Sequence, residues 1–214
     1  MGKYSNGILG AFSGKIGAVV GSSWRGKHYM RAYTSKIRNP KTLEQVTQRL
    51  KISAVSKFII PLRDVVDVGW KYHAIGMTAS NAMTRYLLES AITGSYPNFG
   101  IDHEKVLIST GRLTGVENGA VNSQPGSTSI SISWDQNTDT GSASPDDYAI
   151  IAAVNLQKEE AACITRGALR SEGLQTMTLP LAWVGNTVIC YLGFVSKEKQ
   201  KVSKSAYLGE MILG

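Results

Sequence analysis

Residues 128–134, TSISISW, alternate between hydroxyl and apolar side chains without a break. Ile130, Ile132 and Trp134 fall on one face and the hydroxyls on the other, the period-two pattern of a half-buried β-strand. Such a strand needs neighbours to pair with and a layer over its apolar face. The residues from 101 onward offer both. Short apolar runs recur at 106–108 with Leu113, and at 148–154, 161–165, 175–179, 187–195 and 206–212. The run at 148–154 is apolar throughout, as a central strand would be. Turn residues separate the runs: Asn118-Gly119, Gln124-Pro125-Gly126, Asp139-Thr140-Gly141 and Ser144-Pro145-Asp146.

About seven short strands in roughly 110 residues are the pattern of a two-sheet sandwich. The expected fold class is α+β in two parts: an N-terminal β-hairpin plus helices, then an all-β immunoglobulin- or fibronectin-III-like sandwich. Trp134 and Tyr191, the latter in the penultimate strand, suit that picture. Both cysteines, Cys163 and Cys190, follow Trp134. The Cys…Trp…Cys order of antibody domains is therefore absent, and the second half resembles fibronectin type III modules in pattern.

The first half has a different texture, so domains are expected at 1–98 and 99–214. Gly2, Gly7 and Gly10 punctuate the opening residues, which would gain order by packing on something else. One strand is expected over 15–24 and another over 28–33, joined by a tight basic turn at Arg25-Gly26-Lys27. A link through Asn39-Pro40 leads to Thr42 and Gln45, a capping box opening a helix to about residue 60. Pro61 interrupts it. A second helical piece at 62–70, a third helix over 71–92 ended by Gly94, and a linker at Tyr96-Pro97-Asn98 complete the half.

Charge follows the same division. The chain carries +7 overall. Residues 1–99 hold 14 Lys and Arg against 4 Asp and Glu, whereas residues 100–214 hold 9 against 12. A basic first half fits a polyanion, an acidic partner chain or a solvated face. Hydrophobic content of 43% with 18% charged residues excludes a disordered chain. No run approaches the ~20 apolar residues of a membrane span. The N-terminal apolar run is cut by Ser13-Gly14-Lys15, so the reading is a cytoplasmic, virion or otherwise assembled protein made without a leader.

Motifs for chemistry fail on spacing. His28, His73 and His103 lie in three different elements. Asp102, His103 and Glu104 alternate in direction, so a solvated linker is the better reading than a metal site. The cysteines lack CxxC spacing and are either a disulfide or buried free thiols, the latter favoured. The acidic pairs Asp146-Asp147 and Glu159-Glu160 sit near turns, where they would guard sheet edges. Asp135, Asn137 and Asp139 open like a calcium loop but lack its late Glu. Gly26-Lys27 is followed by His28 and not Ser or Thr, so no phosphate loop forms. The chain is expected to be no enzyme and to hold no cofactor or metal.

What remains is a basic hairpin with aromatic residues. Trp24, Arg25, Lys27, Tyr29, Arg31, Tyr33, Lys36, Arg38 and Lys41 form the candidate contact surface. Cations beside aromatics can hold a phosphate backbone and stack bases. The same residue types anchor protein interfaces.

The motifs GILGAFSGKIGAVVGSSWRGKHYMR, NPKT-x-x-Q-x-x-QR and FIIPLRDVVDVGW resemble a family of uncharacterised bacterial proteins carrying a domain of unknown function, related members of which occur in phage-like settings. The resemblance implies architectural roles for the glycine and NPKT positions and brings no catalytic residue. The expected function is a non-enzymatic structural or assembly protein, a virion or surface-assembly component in homo- or hetero-oligomeric contact through its first half. Nucleic-acid binding by the basic half is the alternative.

Overall fold

The computed structural model describes every residue except Met1, Ser5, Asn6, Ile8, Leu9, Ile37, Arg38, Gln124, Pro125 and Lys199. The turn expected at Gln124-Pro125 thus lies outside the described residues. The chain divides into two compact units, Met1–Thr42 and Leu43–Gly214.

The first unit is an antiparallel meander of β1 (Lys3–Tyr4), β2 (Phe12–Ile16), β3 (Val19–Trp24) and β4 (Lys27–Ala32), paired in that order. The single strand expected over 15–24 is two strands. The chain reverses at Gly17-Ala18, so that Ile16 pairs with Val19. Gly17 at φ +55° occupies the first central position, where a two-residue hairpin turn demands a left-handed residue. The alternation Ile16, Ala18, Val20 runs through this turn and hides it. The second reversal, at Arg25-Gly26, has φ of 48° and 79° and brings Trp24 opposite Lys27. Gly21 is buried because the Phe12 ring lies across it; a Cβ there would run into that ring.

The second unit opens with α1 (Leu43–Ile59), directly after Thr42, where the capping box puts it. Pro61 marks a 3₁₀ turn, and α2 (Arg63–Gly69) follows. α3 (Ala79–Ser90) begins well after the expected residue 71. Gly76 takes φ +73°, and the Thr78 hydroxyl accepts the Asn81 N–H at 3.1 Å, capping the helix there. The expected linker near Pro97 is the turn of a small hairpin, β5 (Ile92–Ser95) and β6 (Asn98–Ile101).

Seven strands follow: β7 (Ala120–Ser123), β8 (Ser129–Ser133), β9 (Tyr148–Asn155), β10 (Glu160–Ile164), β11 (Leu174–Thr178), β12 (Thr187–Val195) and β13 (Ala206–Ile212). They form two antiparallel sheets, ordered β10-β9-β12-β13 and β11-β8-β7. Ile130, Ile132 and Trp134 share one core with Ile151, Ala153, Cys190, Leu192 and Phe194. The alternate residues of β9 and β12, among them Ile150, Ala152, Ile189 and Tyr191, share a second core with Val55, Leu62, Val66, Met83 and Leu87 of the helical segment. The four-stranded sheet is thus covered on both faces, which is why 148–154 and 187–195 are apolar at nearly every position while β8 alternates. The fold is mixed α+β and mostly β. The helices share a core with the sheet and belong with it to the unit Leu43–Gly214, whereas the expected domains are 1–98 and 99–214.

The strand expected across 106–113 does not form, although Val106 and Ile108 are buried. Three buried serines replace a sheet ladder. Ser205 Oγ accepts the Ile108 N–H at 2.9 Å, the Ser109 hydroxyl donates to the Ser203 carbonyl at 2.9 Å, and Ser203 Oγ accepts the Phe194 N–H at 2.8 Å. The seventh strand is β7 instead. Ser205→Ala leaves a buried N–H without its acceptor and is expected to cost about 1–3 kcal/mol. Urea unfolding followed by tryptophan fluorescence checks this; an unchanged midpoint would show that the serine does not hold the segment.

Candidate contact surface

Cross-strand partners in an antiparallel pair share a face. Trp24 pairs with Lys27, Ser22 with Tyr29 and Val20 with Arg31. Lys15 also pairs with Val20, and Lys3 with Ser13 two residues before Lys15. One face of the β1–β4 sheet therefore carries Lys3, Lys15, Trp24, Lys27, Tyr29 and Arg31. Tyr33 joins them, with Lys15 Nζ 3.4 Å from the centre of its ring. Trp24, Tyr29 and Tyr33 are about half exposed.

The opposite face is mainly apolar, a feature the sequence reading missed. Tyr4, Phe12, Ile16, Val19 and Met30 lie there beside the polar pair Ser23 and His28, with the Tyr4 and Phe12 rings 5.7 Å apart. Met30 is 70% exposed. Among the described residues of this unit, Gly21 alone is buried. The missed signal was Gly17: once the chain turns there, Ile16 and Val19 come together opposite the cations.

The structure brings together five of the nine expected contact residues: Trp24, Lys27, Tyr29, Arg31 and Tyr33. Arg25 sits at the hairpin tip with φ 48°. Lys36 and Lys41 are exposed in the link after β4, Lys41 at φ 50°. Arg38 lies outside the described residues. The first unit holds eight Lys and Arg and no Asp or Glu; the second holds fifteen against sixteen. The whole excess of positive charge is therefore in residues 1–42, a sharper division than the halves at 99/100 suggested.

The remaining candidate groups are engaged elsewhere. His103 does not sit in a solvated linker. Its ring packs 5.6 Å from that of Phe58, and burial pushes its pKa down. Asp102 caps a short 3₁₀ turn and binds Lys105 at 2.6 Å. Asp147 is buried against Arg170 at 3.1 Å rather than guarding an edge, and Asn137 Oδ1 accepts an Arg170 N–H at 2.6 Å. Glu160 accepts the Trp183 indole N–H at 2.8 Å, and Glu159 lies 3.5 Å from Lys57. Cys163 and Cys190 are free thiols, which burial pushes up to about 11 and about 12. Among the described residues no three His, Cys, Asp or Glu side chains cluster as a metal site, and no helix is long and apolar enough to cross a membrane.

Fold and surface together define a mixed α+β, mostly β chain that displays a small basic sheet. The chain belongs to a family of unknown function, DUF6266, whose profile matches residues 11–209 and so runs across both units. No curated protein and no solved structure matches it.

Proposed function

We propose that this protein is a non-enzymatic assembly component whose N-terminal sheet makes the contacts between subunits. The observation that carries this is the sheet with two exposed faces. A unit of about 40 residues rarely supports itself without a staple or a partner. This one leaves Met30, Val19 and Ile16 open to solvent, and apolar faces of that kind mark interaction sites. The partner is a second copy, apolar face to apolar face. The cationic faces then point outward, more than the ~10 Å sheet spacing apart and beyond the ~8 Å screening length of physiological salt.

We read the two sheets of the second unit as a fibronectin-III-like module that projects as an interaction domain. Its fourth strand, β10, pairs with the third, β9, and not in the β11-β8-β7 sheet. This departs from the constant immunoglobulin order, whose fourth strand joins the sheet of the first two. A virion or surface assembly is the setting such a two-part subunit suits.

Light scattering of the full chain across a concentration series tests the proposal. The mass is expected to rise above that of the monomer. A strict monomer throughout, with residues 1–35 protected from hydrogen exchange, would sink it.

The cationic face favours a second reading, nucleic-acid binding, because Lys27 and Arg31 flank Tyr29 on one plane with Trp24. Binding to a single-stranded oligonucleotide would then weaken steeply with salt and with Lys27→Ala or Arg31→Ala. No binding at low salt removes this reading.

A further inference from the structure

The second unit contains a cavity of about 480 Å³ between α1, β6 and the turn from β9 to β10. Its size lies within the ~300–1,000 Å³ of small-molecule sites. Ala54 and Phe58 of α1, Phe99 and Ile101 of β6, and Val154 and Leu156 form apolar walls. An apolar body is what such walls accommodate.

The polar groups around it are unusual. Among the described residues, two buried side-chain polar atoms have no hydrogen-bond partner: His103 Nδ1 and Asn155 Nδ2. Both residues line this cavity. Asn155 Oδ1 already accepts the N–H groups of Gln157 and Lys158, both at 3.0 Å, which fixes the amide orientation and leaves the NH₂ as a spare donor. Buried polar atoms are otherwise almost always paired, and exceptions point to a missing partner. Burial pushes the His103 pKa down, against the opposing pull of Asp102 and Glu210. Lys57 and Glu159 both line the cavity and face each other at 3.5 Å, and the ammonium of Lys51, earlier on α1, lies 5.3 Å from the centre of the lining Phe99 ring. The α1 side of the cavity thus carries two cations against Glu159, while the carboxylates of Asp102 and Glu210 act on His103 and Asp102 is held by Lys105 at 2.6 Å.

We infer that this cavity binds a small amphipathic anion, with an apolar body between Phe58 and Phe99 and a carboxylate or similar head toward Lys51 and Lys57. Its lining residues all belong to the Leu43–Gly214 unit.

Octanoate and octylammonium, titrated into isotope-labelled full chain and followed by amide chemical shifts, test it. Octanoate is expected to move the amides of Phe99, Ile101 and Leu156 and to bind roughly fivefold more tightly than octylammonium, the size of an exposed charge pair. Lys57→Gln, at an exposed position that leaves the fold alone, removes most of that preference. Ala54→Phe fills the cavity and abolishes the shifts. Three results would each overturn the inference: lining amides that do not respond to octanoate, equal affinity for the two amphiphiles, or a folded Ala54→Phe variant that binds octanoate as before.

Discussion

Arg170→Met is expected to destabilise the Leu43–Gly214 unit by about 3–5 kcal/mol, the usual cost of breaking one side of a buried ion pair. Arg170 is fully buried and Asp147 nearly so. The guanidinium is used around its whole edge. Nε meets Asp147 at 3.1 Å, one terminal nitrogen donates to the Gly115 carbonyl at 3.2 Å and to Asn137 at 2.6 Å, and the other donates to the Thr114 carbonyl at 2.8 Å. Its central carbon Cζ lies 3.7 Å from the centre of the Phe194 ring. The Arg170 carbonyl accepts the indole N–H of Trp134 at 3.0 Å. One side chain therefore ties together the segments that precede β7, follow β8, precede β9 and follow β10. Burial pulls the Arg170 pKa down and Asp147 opposes that pull. Methionine keeps some volume but strands a carboxylate and two carbonyls. Lysine keeps the charge but cannot match the fork, so Arg170→Lys is expected to lose most of the same stability. Arg170→Met with Asp147→Asn should recover part of the loss, because the stranded charge is gone while the carbonyls of Thr114 and Gly115 stay unpaired. Urea unfolding reported by Trp134 and Trp183 measures each variant. A loss under about 1 kcal/mol for Arg170→Met, no more than an ordinary hydrogen bond, would mean that the loops are held by something else.

That network shows where sequence reading stops. The limits of β12 were legible because a nearly continuous apolar run ends at Ser196 and Lys197. The cause of such runs, helices on the outer face of β9 and β12, was not, since an apolar stripe on α1 says that it is buried without saying against what. Segment 106–113 looked like a strand because its apolar residues are buried, yet serines nearly a hundred positions away satisfy its backbone. Asp147 looked like a surface acid because its partner is 23 residues on and both belong to residue types that rarely go inside. Alternation along β4 puts Lys27, Tyr29 and Arg31 on one face, and cross-strand pairing adds Trp24 of β3. The apolar face behind them depended on a turn at Gly17-Ala18 that the alternation masks.

Met30→Glu is expected to weaken self-association about 100-fold or more while leaving the single chain folded. Met30 is among the most exposed large apolar residues of the molecule. Its replacement therefore removes little from the isolated subunit, and one carboxylate within a unit of eight cations and no acid is electrostatically welcome there. In a face-to-face pair the same residue loses roughly 1.5–3 kcal/mol of apolar burial and adds a charge that must be stripped of water without a partner. A 100-fold weakening corresponds to about 2.8 kcal/mol, within reach of the first effect alone. Sedimentation across a concentration series reads the shift. The salt dependence separates the two uses of the sheet. Apolar pairing of two cationic units holds or strengthens as salt rises, because screening reduces repulsion between the outward faces. Binding of a nucleic acid to the opposite face weakens, by a power of the salt concentration set by the number of phosphates neutralised. Lys27→Ala and Arg31→Ala act on the second process and spare the first. If Met30→Glu associates as the parent chain does, the apolar face is not the contact, and the cationic face becomes the surface through which the subunits or their ligand are held.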